Sequence, residues 1–332
     1  EMSASLVGSE MCIRDRELGV GRISVDNFLE LSLLNELAKS MNKTAEILLR
    51  ITPGIECHTH EYIQTGHLDS KFGFDLTQID EAVNLILDEY SNLTLRGLHA
   101  HIGSQIFETK VYHDEIEILV KELARLDEKF GLKLDEINIG GGLGVKYTES
   151  DCPPSTYEIA CVIIESLNSS VQKYGIGYPT LFIEPGRSII STAGVTLYTI
   201  GSSKQVPNGK KYFAVDGGMA DNARPSMYKA EYTASVANKP DAETSQSVTI
   251  AGRFCESGDI LIHNIELPEL EEGDILCVYN TGAYNYSMAS NYNRVQKPAM
   301  VLVNNSQSDI IIERETLDDL ISHDRIPDRL KK

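Results

Sequence analysis

Three short motifs in this chain of 332 residues bring together side chains that handle anions and heteroaromatic rings. His101-Ile102-Gly103-Ser104 follows an apolar run at 95–100, and Gly140-Gly141-Gly142-Leu143-Gly144 follows another at 134–139. Glu184-Pro185-Gly186-Arg187 follows a third, at 181–183. Glycines at a strand end let backbone N–H groups approach a phosphate, and histidine, glutamate and arginine beside them can hold a charged aromatic ligand. Strands ending in such loops, with helices between, describe the carboxyl-end face of a (β/α) barrel, where that fold keeps its chemistry. The pattern reads as an enzyme with a phosphorylated cofactor.

The elements that must position these motifs alternate in type. A β-branched run at 21–25 precedes a helix expected over 27–40, capped by Asp26, with Phe28, Leu31, Leu33, Leu34 and Leu37 at helical spacing. Further strands are expected at 45–51, 95–101, 134–139 and 179–183, with helices at 77–89, 111–130 and 155–174. Strands recurring with helices between them imply a parallel sheet. Only five barrel strands can be counted against the eight of a closed barrel, so the chain is expected to have lost its beginning. After about residue 190 the texture changes to short strands at 195–200, 211–215, 248–251, 274–279, 298–303 and 309–313, with one terminal helix at 317–322. The expected organisation is therefore α/β: a partial barrel over 17–190 and a mostly β domain over 191–332.

Residues 1–16 match neither part. They resemble the translation of a sequencing adapter, and the segment is read as non-native. The formal charge of −19 argues against nucleic acid or an anionic membrane as partner. No apolar run approaches the ~20 residues of a membrane span. Six scattered cysteines (12, 57, 152, 161, 255 and 277) without a Cys-x-x-Cys pair favour a reduced, cytoplasmic setting. His58 and His60 lie in a loop, His99 and His101 have no nearby ligand set in sequence, and no metal site is expected.

From Glu17 onward the chain resembles the diaminopimelate decarboxylases, enzymes of the alanine-racemase-like fold type III that use pyridoxal phosphate. The three motifs above carry the resemblance together with Asp216-Gly217-Gly218-Met219-Ala220-Asp221-Asn222, Arg224-Pro225-Ser226-Met227-Tyr228, Cys255-Glu256-Ser257-Gly258-Asp259 and Gly282-Ala283-Tyr284. It implies a TIM-type barrel followed by a β domain, and conversion of meso-diaminopimelate to L-lysine and CO₂. It implies that His101 stacks on the cofactor ring, that Ser104, Gly141, Gly142, Pro185 and Gly186 belong to the cofactor site, and that Glu184 pairs with the pyridine nitrogen. Arg187, Arg224 and Tyr228 would grip the substrate's distal carboxylate and Glu256 its far ammonium. Tyr284 would touch both cofactor and substrate, and Arg187 would also contact the cofactor. Cys255 would be the acid that protonates the carbon after CO₂ leaves. A homodimer follows, in which Cys255 and Glu256 reach the neighbouring subunit's barrel.

One family feature has no match. The Schiff-base lysine lies in a Tyr-Ala-x-Lys-Ala-like segment that this sequence lacks, and Lys71, Lys146 and Lys229 match other positions of the family. The exchange of substrate onto the cofactor then loses its usual starting point and product release is slowed, and the chain as written is expected to be inactive and aggregation-prone. Two alternatives stand beside the leading reading. One is a sister decarboxylase acting on carboxynorspermidine or a basic amino acid. The other is a non-catalytic paralogue that regulates a true decarboxylase through mixed dimers.

Overall fold

The computed structural model describes residues 18–55 and 71–331. The chain divides into two compact units, one of Glu1–Val145 with Cys152–Ser188 and one of Lys146–Asp151 with Ile189–Lys332. The segment 1–16, Cys57, His58 and His60 lie outside the described residues.

In the first unit, β1 (Ile23–Val25), β2 (Ala45–Thr52), β4 (Leu93–His99), β5 (Glu136–Asn138) and β6 (Thr180–Phe182) form a parallel sheet in that order. The count of five strands needs correction. A sixth, β3 (Phe74–Asp75), pairs in parallel with the end of β2, Ile51 opposite Phe74. Two residues are too few to show a period in sequence, which is why it escaped notice. The helices α1 (Phe28–Ser40), α2 (Ile79–Asp88), α3 (Lys110–Phe130) and α4 (Thr156–Tyr174) lie between strands, as parallel crossovers require.

Local chemistry sets the helix ends. Ser155 and Glu158 make a reciprocal capping box at the start of α4, and Gly175, at φ +69°, ends it. Asn27, not Asp26, caps α1: its side chain accepts from the Glu30 N–H. Asp26 is buried instead, 3.8 Å from the Arg50 guanidinium. On α3, Ile116, Leu119, Val120, Leu123 and Leu126 recur at helical spacing and are buried. They belong to one core with Ile47 and Leu49 of β2, Leu98 of β4 and Ile137 of β5. Each such side chain contributes about 1.5–3 kcal/mol by leaving water. Near the start of the strands, Arg22 forks onto the Glu136 carboxylate and also pairs with Glu46.

The second unit is built on a six-stranded sheet of order β11-β10-β8-β7-β12-β9. Its strands are β7 (Thr196–Gln205), β8 (Lys211–Val215), β9 (Ala234–Val236), β10 (Gln246–Ala251), β11 (Ile260–Leu267) and β12 (Ile275–Val278). Sequence pattern missed β9 and β11. The first is three residues long, and in the second Asn264 at φ +49° interrupts the alternation of apolar residues. A hairpin of β13 (Met300–Asn304) and β14 (Gln307–Ile312) precedes a short terminal helix, Leu317–Ile321.

Candidate active site

At the carboxyl ends of β4, β5 and β6 the three motifs form one hydrogen-bonded body. The β4 strand stops at His99, two residues before its expected end, so His101 sits on the loop beyond it. Its Nδ1 accepts the Gly141 N–H at 3.2 Å, which fixes the ring proton on Nε2. Burial first, then the Arg50 charge, pushes the His101 pKa down to about 4. The imidazole is therefore neutral at ordinary pH.

The glycine loop is locked to both neighbours. The Glu184 N–H donates to the Gly140 carbonyl at 2.6 Å, and Ile106 N–H donates to the Gly142 carbonyl at 2.9 Å. A Cβ on Gly141 would lie 2.3 Å from the Glu184 carbonyl oxygen, and one on Gly142 (φ +93°) would lie 2.3 Å from that of Gly103. Only glycine lets these backbones approach so closely. Gln105 clamps the loop further on, donating to the Val145 carbonyl and accepting its N–H.

Charged and polar groups then converge. The Arg187 guanidinium, nearly buried, donates to Ser104 Oγ at 3.1 Å. Asn138 Nδ2 donates to Glu184 Oε1 at 2.7 Å, leaving Oε2 with no hydrogen bond among the described residues. Pro185 and Gly186 make the turn between Glu184 and Arg187. A glycine cradle beside a hydroxyl and a guanidinium suits a phosphate, and a carboxylate with one uncommitted oxygen suits a protonated ring nitrogen. The residues present fit pyridoxal phosphate.

Sequence reading passed over two residues here. Arg50, near the end of β2, is 6% exposed and lies 4.4 Å over the Phe72 ring. Burial lowers its pKa, against the pull of Asp26 and Glu184. Its signal was available: a charge near the carboxyl end of a mostly apolar barrel strand. Asn138, the last residue of β5, is 4% exposed and gave the same sign.

In the second unit, Arg224 opens the short helix Arg224–Tyr228 and is nearly buried. It donates to the Tyr232 hydroxyl at 2.6 Å, and its guanidinium lies 5.0 Å from the Tyr147 ring centroid. Tyr228 ends that helix half-buried, and Tyr284 stands exposed at φ +62°. Cys255 and Glu256 occupy an exposed loop. Asp259, buried beneath it, accepts the N–H groups of Met219 at 2.7 Å and Phe254 at 2.9 Å, and its own N–H donates to the Glu256 carbonyl. Beside the loop, Tyr292 donates to the Glu256 carboxylate, and Asn293 Nδ2 donates to Cys255 Sγ at 3.7 Å. Arg224 makes no hydrogen bond to Cys255 or Glu256. No cluster of three metal-ligating side chains occurs among the described residues.

The chain has relatives of known name. The family described as pyridoxal-dependent decarboxylase, pyridoxal binding domain, matches residues 9–191, which makes the class a cofactor-dependent decarboxylase with a barrel seat. Diaminopimelate decarboxylase of Synechocystis sp. is 52% identical over 308 residues, 93% of this chain and 65% of that protein. The Bacillus subtilis diaminopimelate decarboxylase is 47% identical over 92% of this chain and 70% of its own length. A crystal structure of the M. jannaschii enzyme in co-complex with L-lysine superposes with a TM-score of 0.89 at 34% identity, over 98% of this chain and 74% of that one. The chain belongs to the diaminopimelate decarboxylase family. It spans about two thirds of the Synechocystis relative's length (65%).

Proposed function

We propose that this chain carries the site of a carboxy-lyase dependent on pyridoxal phosphate, which converts meso-diaminopimelate to L-lysine and CO₂. The observation that carries the reading is the interlocked mouth formed by His101, the glycine loop and Glu184. The first unit is then the cofactor-binding barrel and the second the β domain, with the boundary near residue 190. Ser104, Gly141, Gly142, Gly186 and Arg187 would hold the phosphate end of the cofactor, Pro185 would shape the turn, and the neutral His101 would cover one ring face. Glu184 would keep a proton on the ring nitrogen. When bound, the cofactor supplies an electron sink for the pair left behind by CO₂.

The substrate is an amino acid at both ends, and the residues assigned to it match that chemistry. Arg224 and Arg187 each offer forked donors suited to a distal carboxylate, and Tyr228 and Tyr284 would add hydroxyls to the same task. Glu256 would bind the far ammonium, and Cys255 would deliver the proton that replaces CO₂. The names of the relatives and the L-lysine complex of the M. jannaschii enzyme support this choice.

A homodimer with shared active sites belongs to the same proposal. Its support is the exposure of Cys255 and Glu256 together with an uncovered apolar face on β13, β14 and the terminal helix. Val303, Ile310, Leu317 and Ile321 are each more than half exposed there, and soluble chains normally cover so broad an apolar patch. A cytoplasmic location is proposed from the four described cysteines, all of them free. No described helix is long and apolar enough to cross a membrane.

The test is a single turnover, in which no product need be released. Chain, pyridoxal phosphate and meso-diaminopimelate are mixed in stoichiometric amounts and the products read by mass spectrometry. Without the Schiff-base lysine repeated turnover is not expected, and the expected yield is at most one equivalent each of L-lysine and CO₂ per chain. Unchanged diaminopimelate, or a diamine formed in preference from ornithine or lysine, would overturn the assignment.

A further inference from the structure

We infer that Asn138 is a positioning residue that sets the carboxylate of Glu184 toward the cofactor and ties it to the glycine loop; this rests on the function proposed above. Its amide spans two of the motifs. Nδ2 donates to Glu184 Oε1 at 2.7 Å, and Oδ1 accepts the Gly140 N–H at 2.9 Å. The two bonds fix the amide's orientation. A flipped amide would set its carbonyl against the Glu184 carboxylate and its NH₂ against the Gly140 N–H, so both bonds would be lost.

Backbone bonds place Asn138 and Glu184 in register. The Asn138 carbonyl accepts the Ala100 N–H, the adjacent Ile139 N–H donates to Phe182, and the Glu184 N–H donates to Gly140. Asn138 therefore joins all three motif-bearing strands, while its side chain acts on one oxygen of one carboxylate. Holding Oε1 leaves Oε2 as the oxygen for the ring nitrogen. Arg50 is the charged neighbour that attracts Glu184, yet it makes no hydrogen bond to it. Without Asn138 the carboxylate can turn toward that guanidinium.

Two substitutions separate the two bonds. Asn138→Asp keeps an acceptor for Gly140 and removes the donor to Glu184. Asn138→Ala removes both. Dissociation constants are measured by fluorescence titration for pyridoxal phosphate and for deazapyridoxal phosphate, in which C–H replaces the ring nitrogen. Their ratio reads the bond between Glu184 and the nitrogen alone, and a general loss of folding weakens both ligands without changing it. The unaltered chain should prefer pyridoxal phosphate by about tenfold or more, the worth of one hydrogen bond to a charged group. Glu184→Gln should abolish the preference. Both Asn138 variants should cut it by about threefold or more, and Asn138→Asp should keep its affinity for the deaza ligand within about threefold, as a retained loop bond of ordinary strength requires. An unchanged preference in the Asn138 variants overturns the inference. Absence of preference in the unaltered chain removes the Glu184 assignment, and this inference with it.

Discussion

The barrel mouth and the Cys255–Glu256 loop are built on opposite principles. In the mouth, backbone and side chains of three motifs bond to one another, and added carbons on Gly141 or Gly142 would meet backbone oxygen at 2.3 Å. The loop in the second unit is exposed, and a Cβ on Gly258 would meet nothing within 4 Å. It is held from beneath by Asp259 and from the side by Tyr292 and Asn293. A rigid ring and phosphate call for a seat fixed before binding, whereas groups that reach a substrate must be presented outward. On the proposed roles, preorganisation would serve the cofactor and exposure the substrate.

The contrast can be broken most severely at paired glycines. Gly141→Ala drives a methyl into backbone that cannot move independently, and such overpacking costs about 1–3 kcal/mol or more. Pyridoxal phosphate affinity should fall by about a hundredfold. Gly258→Ala should change stability by no more than about 0.5 kcal/mol, as open surface substitutions do. Equal effects at the two sites, read by cofactor titration and thermal unfolding, would contradict the division.

A second prediction concerns a buried acid in the first unit that the proposed chemistry does not use. Glu115 on α3 is fully buried, neither carboxyl oxygen has a hydrogen-bond partner among the described residues, and burial raises its pKa well above the ordinary 4.5. The folded chain keeps it protonated while the unfolded chain ionises above 4.5, so its cost grows as pH rises. Glu115→Leu should stabilise by about 1–3 kcal/mol at neutral pH, the penalty of an unpaired buried polar group. Urea unfolding should show the gain shrinking toward pH 5.

The histidines of the mouth act in the other direction. His101 falls to about 4, and burial with the Arg50 charge holds His99 well below its ordinary value. Between the ordinary 6.5 and those lowered values, the unfolded chain takes up protons that the folded chain refuses. Stability therefore falls as pH falls through that window, by up to about 3 kcal/mol for His101. NMR titration should find its ring signals unchanged from pH 8 to about 5.5, since a group with pKa near 4 stays neutral there. The smallest effect belongs to the loop. The Glu256 carboxylate, as its hydrogen-bond partner, pushes the Tyr292 hydroxyl up to about 12. Glu256→Gln should return it toward 10, as read by phenolate absorbance, while leaving the fold unchanged.

Most of the barrel was legible because its helices and strands keep clear periods and its loops carry glycines with an evident purpose. What escaped were the residues that act through others. Asn138 and Arg50 are single polar side chains at strand ends, and only the parallel register shows that they face Glu184. Asp259 lay in view within a motif, but its grip on Met219 depends on chain folded from forty residues away. The cap at Asn27 rather than Asp26 turned on which side chain reaches the Glu30 N–H, a choice adjacent residues leave open. The edge strand β11 was hidden by one left-handed asparagine.

The central claim is that the mouth holds cofactor and the exposed loop reads substrate. Its most direct test is a pair of calorimetric titrations, pyridoxal phosphate first and meso-diaminopimelate second, on Glu184→Gln and Glu256→Gln. Glu184→Gln should weaken the cofactor by about tenfold, the value of a charge-assisted hydrogen bond. Glu256→Gln should leave the cofactor unchanged and weaken diaminopimelate by a similar factor. If both substitutions weakened both ligands equally, or if Glu256→Gln left diaminopimelate binding untouched, the division of labour would be wrong.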